Sequence, residues 1–413
     1  MNRRAVITGL GIVSPIGIGV ESFWAAACAG RSGIGPPTLF DASKLARECQ
    51  MVGEVKDFDV KEWMPGATGR MAGRFSQFAV AASKMARNDA TLDEAYIPPE
   101  QLKVSIGTSM SGQSDLGETT FRSFIRGDLV LPWTTNEYPA HAATSHVAIA
   151  AGARGPAVTF ATACAAGLDT VAWASEQVKA GSATAVIAGA TETPLSEYSL
   201  TLFKSVGVLS RWQGPPEEAS RPFDKWRSGL VLSEGSAAVI VEDEEHAISR
   251  GAKAYARILS FASLTEGAHL RKVDETGRIA SQAMTLALNR AGLLPGDIDY
   301  ICAHGNSMPD YDAAETAGIK KTFGRHAWNV PVSSIKSMCG QALAASSAMQ
   351  IVVACLTLRD QIITPTANYT VRDPECDLDY VPNRARRGRI RTVMVHAHSL
   401  GGSHVAMILG LPT

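Results

Sequence analysis

The chain has 413 residues, 46% of them hydrophobic and 19% charged, so it can bury a large core as one large or two fused globular units, and disorder is not the starting assumption. Its 39 basic and 40 acidic side chains nearly cancel, which excludes a global field drawing it to nucleic acid or anionic lipid and leaves recognition to local patches. Seven cysteines, at 28, 49, 164, 302, 339, 355 and 376, are odd in number and form no Cys-x-x-Cys pair, which argues against a disulfide framework or a zinc site and for a reducing cytoplasm.

Taken in chain order, Arg3 and Arg4 precede an apolar stretch, Ala5 to Val13, that is broken by glycines and stopped by Pro15. It reads as a buried strand and turn, not as a signal peptide. No run approaches the eighteen or so uninterrupted apolar residues of a membrane span, so no membrane is expected as a partner. Gly9-Leu-Gly11 invites a dinucleotide reading, but Ser14 stands where the third glycine belongs and no acidic residue follows at the required distance, so no nicotinamide cofactor is expected. Residues 74–87 and 280–291 predict helices with one small apolar face. Short β-branched or apolar runs at 5–8, 104–107, 184–188, 237–241, 299–303 and 392–395 predict strands, and their alternation with alanine-rich helices predicts an α/β sheet protein.

A weak internal repeat organises these elements. Ala157-Val-Thr-Phe-Ala-Thr-Ala-Cys164 predicts a strand running into a small-residue turn, then a helix to about Ala180, a glycine cap at Gly181 and a strand over 184–188. Val330-Pro-Val-Ser-Ser-Ile-Lys-Ser-Met-Cys-Gly340 repeats the pattern, with a helix from about Gln341 to Leu358 and a strand over 392–396. Two related halves meeting between 243 and 255 bring equivalent strand ends together, and a site shared between them follows.

Cys164 follows a β-rich run and opens a helical pattern, where unpaired amides and the helix dipole favour a thiolate and lower its pKa. Ala165, Ala166 and Gly167 leave room for a substrate. A free cysteine otherwise packs as a small hydrophobe; the turn context favours the nucleophile. His304 ends the strand Ile301-Cys-Ala-His304 beside Gly305, before a polar loop with Asp312 and Glu315, and can donate a hydrogen bond or exchange a proton. Lys336 closes the second apolar strand, placed to pair with a carboxylate or steady a neighbouring donor.

These residues, with Val6-Ile-Thr-Gly-Leu-Gly-Ile-Val-Ser-Pro-Ile-Gly17, Ala161-Thr-Ala-Cys-Ala-Ala-Gly167, Ser220-Arg-Pro-Phe-Asp224, Glu234-Gly235, Cys376-Asp-Leu-Asp-Tyr-Val-Pro-Asn383 and Gly401-Gly402, give an end-to-end match. The chain resembles the β-ketoacyl-acyl-carrier-protein synthases of fatty-acid and type II polyketide pathways. The resemblance implies a thiolase-like fold of two pseudo-repeated α/β halves, residues 1–248 carrying the nucleophile and 249–413 carrying His304, Lys336 and Gln341, in a layered α-β-α-β-α arrangement. It implies a ping-pong reaction: Cys164 takes an acyl group from a carrier-protein phosphopantetheine thioester, and a malonyl thioester then loses CO2 and attacks it. It also implies an acyl carrier protein as partner and a homodimer, or a heterodimer with a related subunit.

Two histidines supply the enolate-stabilising donors in that family; His304 matches the first, and Gln341 replaces the second. A glutamine amide donates hydrogen bonds but holds no proton near neutral pH, and weakening one such donor costs roughly ten- to a thousandfold in rate. Gln350 replaces a glutamate of the family, and Leu400 its gating phenylalanine. His396, His398 and His404 cluster in the last motif; 396 and 398 are expected on one strand face with no acidic partner beside them, so no metal site is expected, and His404 stands for a structural asparagine. Arg70, Arg74 and Arg211 are candidates for a basic patch meeting an acidic carrier protein. Two other functions fit the same residues: an acyltransferase that uses the Cys164 acyl-enzyme without condensation, and a chain-length-factor-like subunit, against which the presence of Cys164 counts.

Overall fold

The computed structural model describes residues 3–93, 96–114 and 116–412. Its first long strand, β1 (Ala5–Ser14), is buried along its whole length, as its apolar run requires. Gly9 and Gly11 lie where helix α1 (Arg74–Asp89) crosses this strand: a Cβ on Gly9 would stand 2.1 Å from the Ala86 carbonyl oxygen, and one on Gly11 1.9 Å from that of Ala82. The glycine pair therefore serves the close approach of a helix to a strand.

Among the described residues eleven strands form one sheet, ten along one path and the two-residue Gly17–Ile18 beside β1. Its first flank holds β2 (Leu102–Gly107), β3 (Ala157–Phe160), β4 (Ala185–Glu192) and β5 (Gly235–Asp243), in the order β3-β2-β4-β5-β1. The second holds β6 (Ala256–Thr265), β7 (Tyr300–Cys302), β8 (Val332–Ser333), β9 (Thr392–His398) and β10 (Ser403–Gly410), in the order β8-β7-β9-β10-β6. Both flanks run through two parallel pairings and then two antiparallel ones. They join where β1 meets β6 antiparallel, at Val6 with Arg257 and Ile7 with Ala256. The repeat is thus a duplicated topology, with β3 equivalent to β8 and β4 to β9.

Helices complete the layers. α1 and α2 (His141–Ala151) cover the outer face of the first flank, and α4 (Arg278–Ala291) and α5 (Pro309–Phe323) that of the second. Between the flanks lie α3 (Ala166–Lys179) and α6 (Leu343–Asp360), which gives the α-β-α-β-α order. Both central helices have small residues where they touch: a Cβ on Gly167 would stand 2.4 Å from the Ala348 nitrogen. α6 is long and apolar enough to cross a membrane, with a mean hydropathy of 1.2, yet 89% of it is buried inside the protein, the mark of a core helix. It starts two residues later than the sequence suggests, because Gln341 is extended and bridges Leu232.

Candidate active site

The two equivalent turns meet in the centre of the molecule. After β3, Ala163 turns left-handed (φ 52°), Cys164 follows, and α3 begins at Ala166. After β8, Gly340 turns left-handed (φ 74°), Gln341 follows, and α6 begins at Leu343. Gln341 and Cys164 are thus the same position of the two halves, and the Gln341 Nε2 donates to the Cys164 Sγ at 3.1 Å. The Gln341 main chain is pinned by the Val231 carbonyl (2.7 Å) and the Ser233 amide (3.0 Å), while its Oε1 is buried without a partner.

One expectation needs correcting. Burial pushes the Cys164 thiol up to about 11, against the downward pull of the Lys336 charge and the Gln341 amide. Desolvation of a charge outweighs a helix start here, and the resting residue is a thiol.

His304 sits just beyond β7, 1% exposed, with its turn gripped from below: Glu315 accepts from the His304 amide (2.7 Å) and from the Gly305 amide (2.8 Å). The ring accepts at Nδ1 from the His398 amide (3.4 Å), which assigns the proton to Nε2, and Nε2 has no protein partner. Burial, and then the Lys336 charge, hold this imidazole well below the usual histidine range, so it is a neutral donor. Lys336 donates from Nζ to the His304 carbonyl (2.6 Å) and to the Gln350 Oε1 (3.1 Å). Gln350 in turn donates from Nε2 to the carbonyls of Cys302 (3.2 Å), Ala303 (2.8 Å) and His396 (2.9 Å). Three carbonyls facing one atom call for an amide N–H and would repel a carboxylate, a local reason for glutamine at this position.

The histidines of the last motif are the part sequence reasoning placed least well. His396 contacts Glu315 through Nδ1 at 2.6 Å and His404 contacts Glu266 through Nε2 at 2.9 Å, so acidic partners do stand beside them. The rings of His396, His398 and His404 stack with centroids 5.3 to 5.7 Å apart, and His398 meets the His304 ring edge-on at 4.3 Å and Tyr311 at 4.7 Å. Among the described residues no group of three or more histidine, cysteine or carboxylate side chains is arranged to hold a metal ion. The signal available in the sequence was the His-x-His alternation, which puts 396 and 398 on one face and lets 404 pair back from the next strand.

Comparison with known proteins identifies the family. The β-ketoacyl synthase N-terminal domain model matches residues 2–247 and the C-terminal domain model matches residues 255–370. The chain belongs to the β-ketoacyl synthase family. It is 38% identical over 406 residues to 3-oxoacyl-acyl-carrier-protein synthase 2 of Synechocystis sp., covering 98% of this chain and 97% of the relative. It is 37% identical over 418 residues to the tetracenomycin polyketide synthase ketoacyl synthase alpha subunit of Streptomyces glaucescens, covering 99% and 97%. Among solved structures it matches a type II polyketide synthase acyl-carrier protein in complex with its ketosynthase (TM-score 0.92, 32% identity) and the ishigamide ketosynthase/chain length factor (TM-score 0.93, 31% identity), each over 100% of both chains.

In this β-ketoacyl synthase a cavity of about 510 Å³ opens beside Met308 and Leu400, with His269, Arg271 and Lys272 at its rim. Leu400 and Met308 share one apolar cluster with Cys164, so the cavity abuts the surroundings of that cysteine. Of the arginines considered for a carrier-protein patch, Arg70 and Arg211 are exposed, and Arg211 reaches the Gly207 edge of the cavity. Arg74 does something else: its guanidinium holds the fully buried Glu234 at 2.7 and 2.9 Å and lies over the Phe78 ring. Arg74→Ala is expected to lower unfolding free energy by about 3 kcal/mol, the cost of stranding one partner of a buried pair. Urea denaturation checks this; an unchanged midpoint contradicts the assignment.

Proposed function

We propose that this β-ketoacyl synthase loads an acyl chain on Cys164 from a carrier-protein thioester and condenses it with a malonyl thioester, using His304 and Gln341 as the hydrogen-bond donors. The observation that carries this reading is the Gln341 amide held 3.1 Å from the Cys164 sulfur by the equivalent turn of the other half. In loading, the Cys164 sulfur attacks the thioester carbonyl, the C–S bond to the phosphopantetheine breaks, and the thiol proton leaves with the released sulfur. In condensation the malonyl C–C bond breaks, CO2 departs, and the enolate carbon bonds to the acyl carbonyl as Cys164 is released.

Neutral His304 supplies its Nε2–H to the developing oxyanion, a task that needs a donor and no proton exchange, so an amide at 341 is compatible with it. Lys336 and Gln350 support the His304 turn, and Leu400 borders the acyl path. Residues 1–248 and 249–413 are proposed as the two contributing halves. Arg70, Arg211, Arg271 and Lys272 offer cationic docking points to an acidic carrier protein. A dimer, with an identical copy or a related subunit, fits the solved ketosynthase/chain length factor relative. Seven unpaired cysteines support a reducing, cytoplasmic setting.

Intact-protein mass spectrometry after incubation with an acyl carrier-protein thioester, then with malonyl carrier protein, tests this reading with Cys164→Ala as control. Loading on Cys164 followed by discharge to a β-ketoacyl product and CO2 is the expected outcome. Loading without CO2 release turns the assignment to simple acyl transfer, and no loading turns it to a non-catalytic subunit.

A further inference from the structure

Lys336 is 1% exposed, and among the described residues no carboxylate lies within 4.0 Å of its Nζ. Its two contacts, the His304 carbonyl and the Gln350 Oε1, are neutral oxygens. A buried ammonium normally sits against a carboxylate, because its desolvation is otherwise uncompensated. The nearest acids are already engaged. Glu315 is bound by the His304 and Gly305 amides and by His396, and Asp312 by the Phe223 and Asn306 amides with Arg227 alongside. The other groups that feel this charge are the thiols of Cys164, Cys302 and Cys339 and the imidazoles of His304 and His398.

We propose that Lys336 is kept without a contacting carboxylate so that its charge is completed by an anion formed or brought at Cys164: the thiolate itself, and a carboxylate-bearing substrate arriving beside it. This deepens the reading above, since it rests on Cys164 being the nucleophile. Gln350 is the enabling feature, because it gives the ammonium an acceptor while adding no charge. The burial that raises the thiol to about 11 is opposed first by the Lys336 charge. Lys336 acts here as a positioning charge, not as a group that touches the reacting carbon.

Alkylation tests this without any carrier protein. The Cys164 sulfur attacks the methylene carbon, the C–I bond breaks, iodide leaves, and the thiol proton passes to buffer. Neutral iodoacetamide reports the thiolate fraction, whereas the ratio of iodoacetate to iodoacetamide rates reports the charge felt by an incoming carboxylate, which a purely structural role leaves unmoved. Rates on Cys164 are read by peptide mass mapping and referenced to glutathione. The wild-type ratio is expected at least threefold above that of glutathione. Lys336→Met should lower the iodoacetamide rate at pH 7.5 about tenfold, and bring the ratio down to the glutathione value. Gln350→Glu, which sets a carboxylate against Nζ, should move both readouts the same way. A wild-type ratio equal to that of glutathione, or a ratio unchanged in whichever of the two variants folds, overturns the proposal. If neither variant folds, the wild-type ratio decides. Failure of acyl loading in a protein that keeps the elevated ratio strikes the proposed function and leaves this inference standing.

Discussion

His304→Ala is expected to slow carbon–carbon bond formation by about a hundred- to a thousandfold while Cys164 still takes up an acyl chain within about tenfold of the normal rate. The asymmetry follows from what the ring does. Its Nδ1 is occupied by the His398 amide, its Nε2–H is the free donor, and burial keeps it neutral. The residue's main-chain contacts, to Glu315 and Lys336, use its amide and carbonyl and survive truncation to alanine. The turn should therefore hold its shape, and the loss reports the ring: its free donor and its contacts with His398. Single-turnover mass spectrometry separates loading from condensation; equal losses in both steps, or in neither, contradict the proposed role.

Gly167→Val is expected to prevent folding. A Cβ there would stand 2.4 Å from the Ala348 nitrogen and 2.8 Å from the Ser347 Oγ, so main chain of α6 would have to retreat from α3. Ordinary overpacking costs about 1–3 kcal/mol where side chains can adjust. Here the obstacle is main chain between two sheet flanks, and the same helices carry the turns of Cys164 and Gln341, so the cost is expected to exceed that range. Soluble yield and thermal unfolding measure it, with Gly167→Ala as the milder step. A well-folded valine variant with unchanged Cys164 alkylation contradicts the close contact.

Much of this architecture was legible because it is periodic. The strand runs at 104–107, 184–188 and 237–241 and the helices over 74–87 and 280–291 are set by local pattern, and the repeat around Cys164 and Lys336 pointed to a shared centre. What the sequence hid was long-range pairing. Arg74 looked like a surface cation, but its partner Glu234 lies in another part of the chain; His396 looked free of acids because Glu315 comes from another element. The helix-start argument at Cys164 read the local dipole correctly and could not weigh the burial supplied by distant segments.

The seam between the flanks also sets an order of assembly. β1 lies at the middle of the finished sheet, yet its neighbours there, Gly235–Asp243 and Ala256–Thr265, are synthesised long after it. An all-buried apolar strand, paired early only at its C-terminal end with Gly17–Ile18, must therefore wait with most of its long edges open until the segment from Gly235 onward has left the ribosome, which makes the nascent chain a natural client for chaperones that shield strand edges. It also means that the half bearing Cys164 closes one side of its own sheet only when the second half arrives.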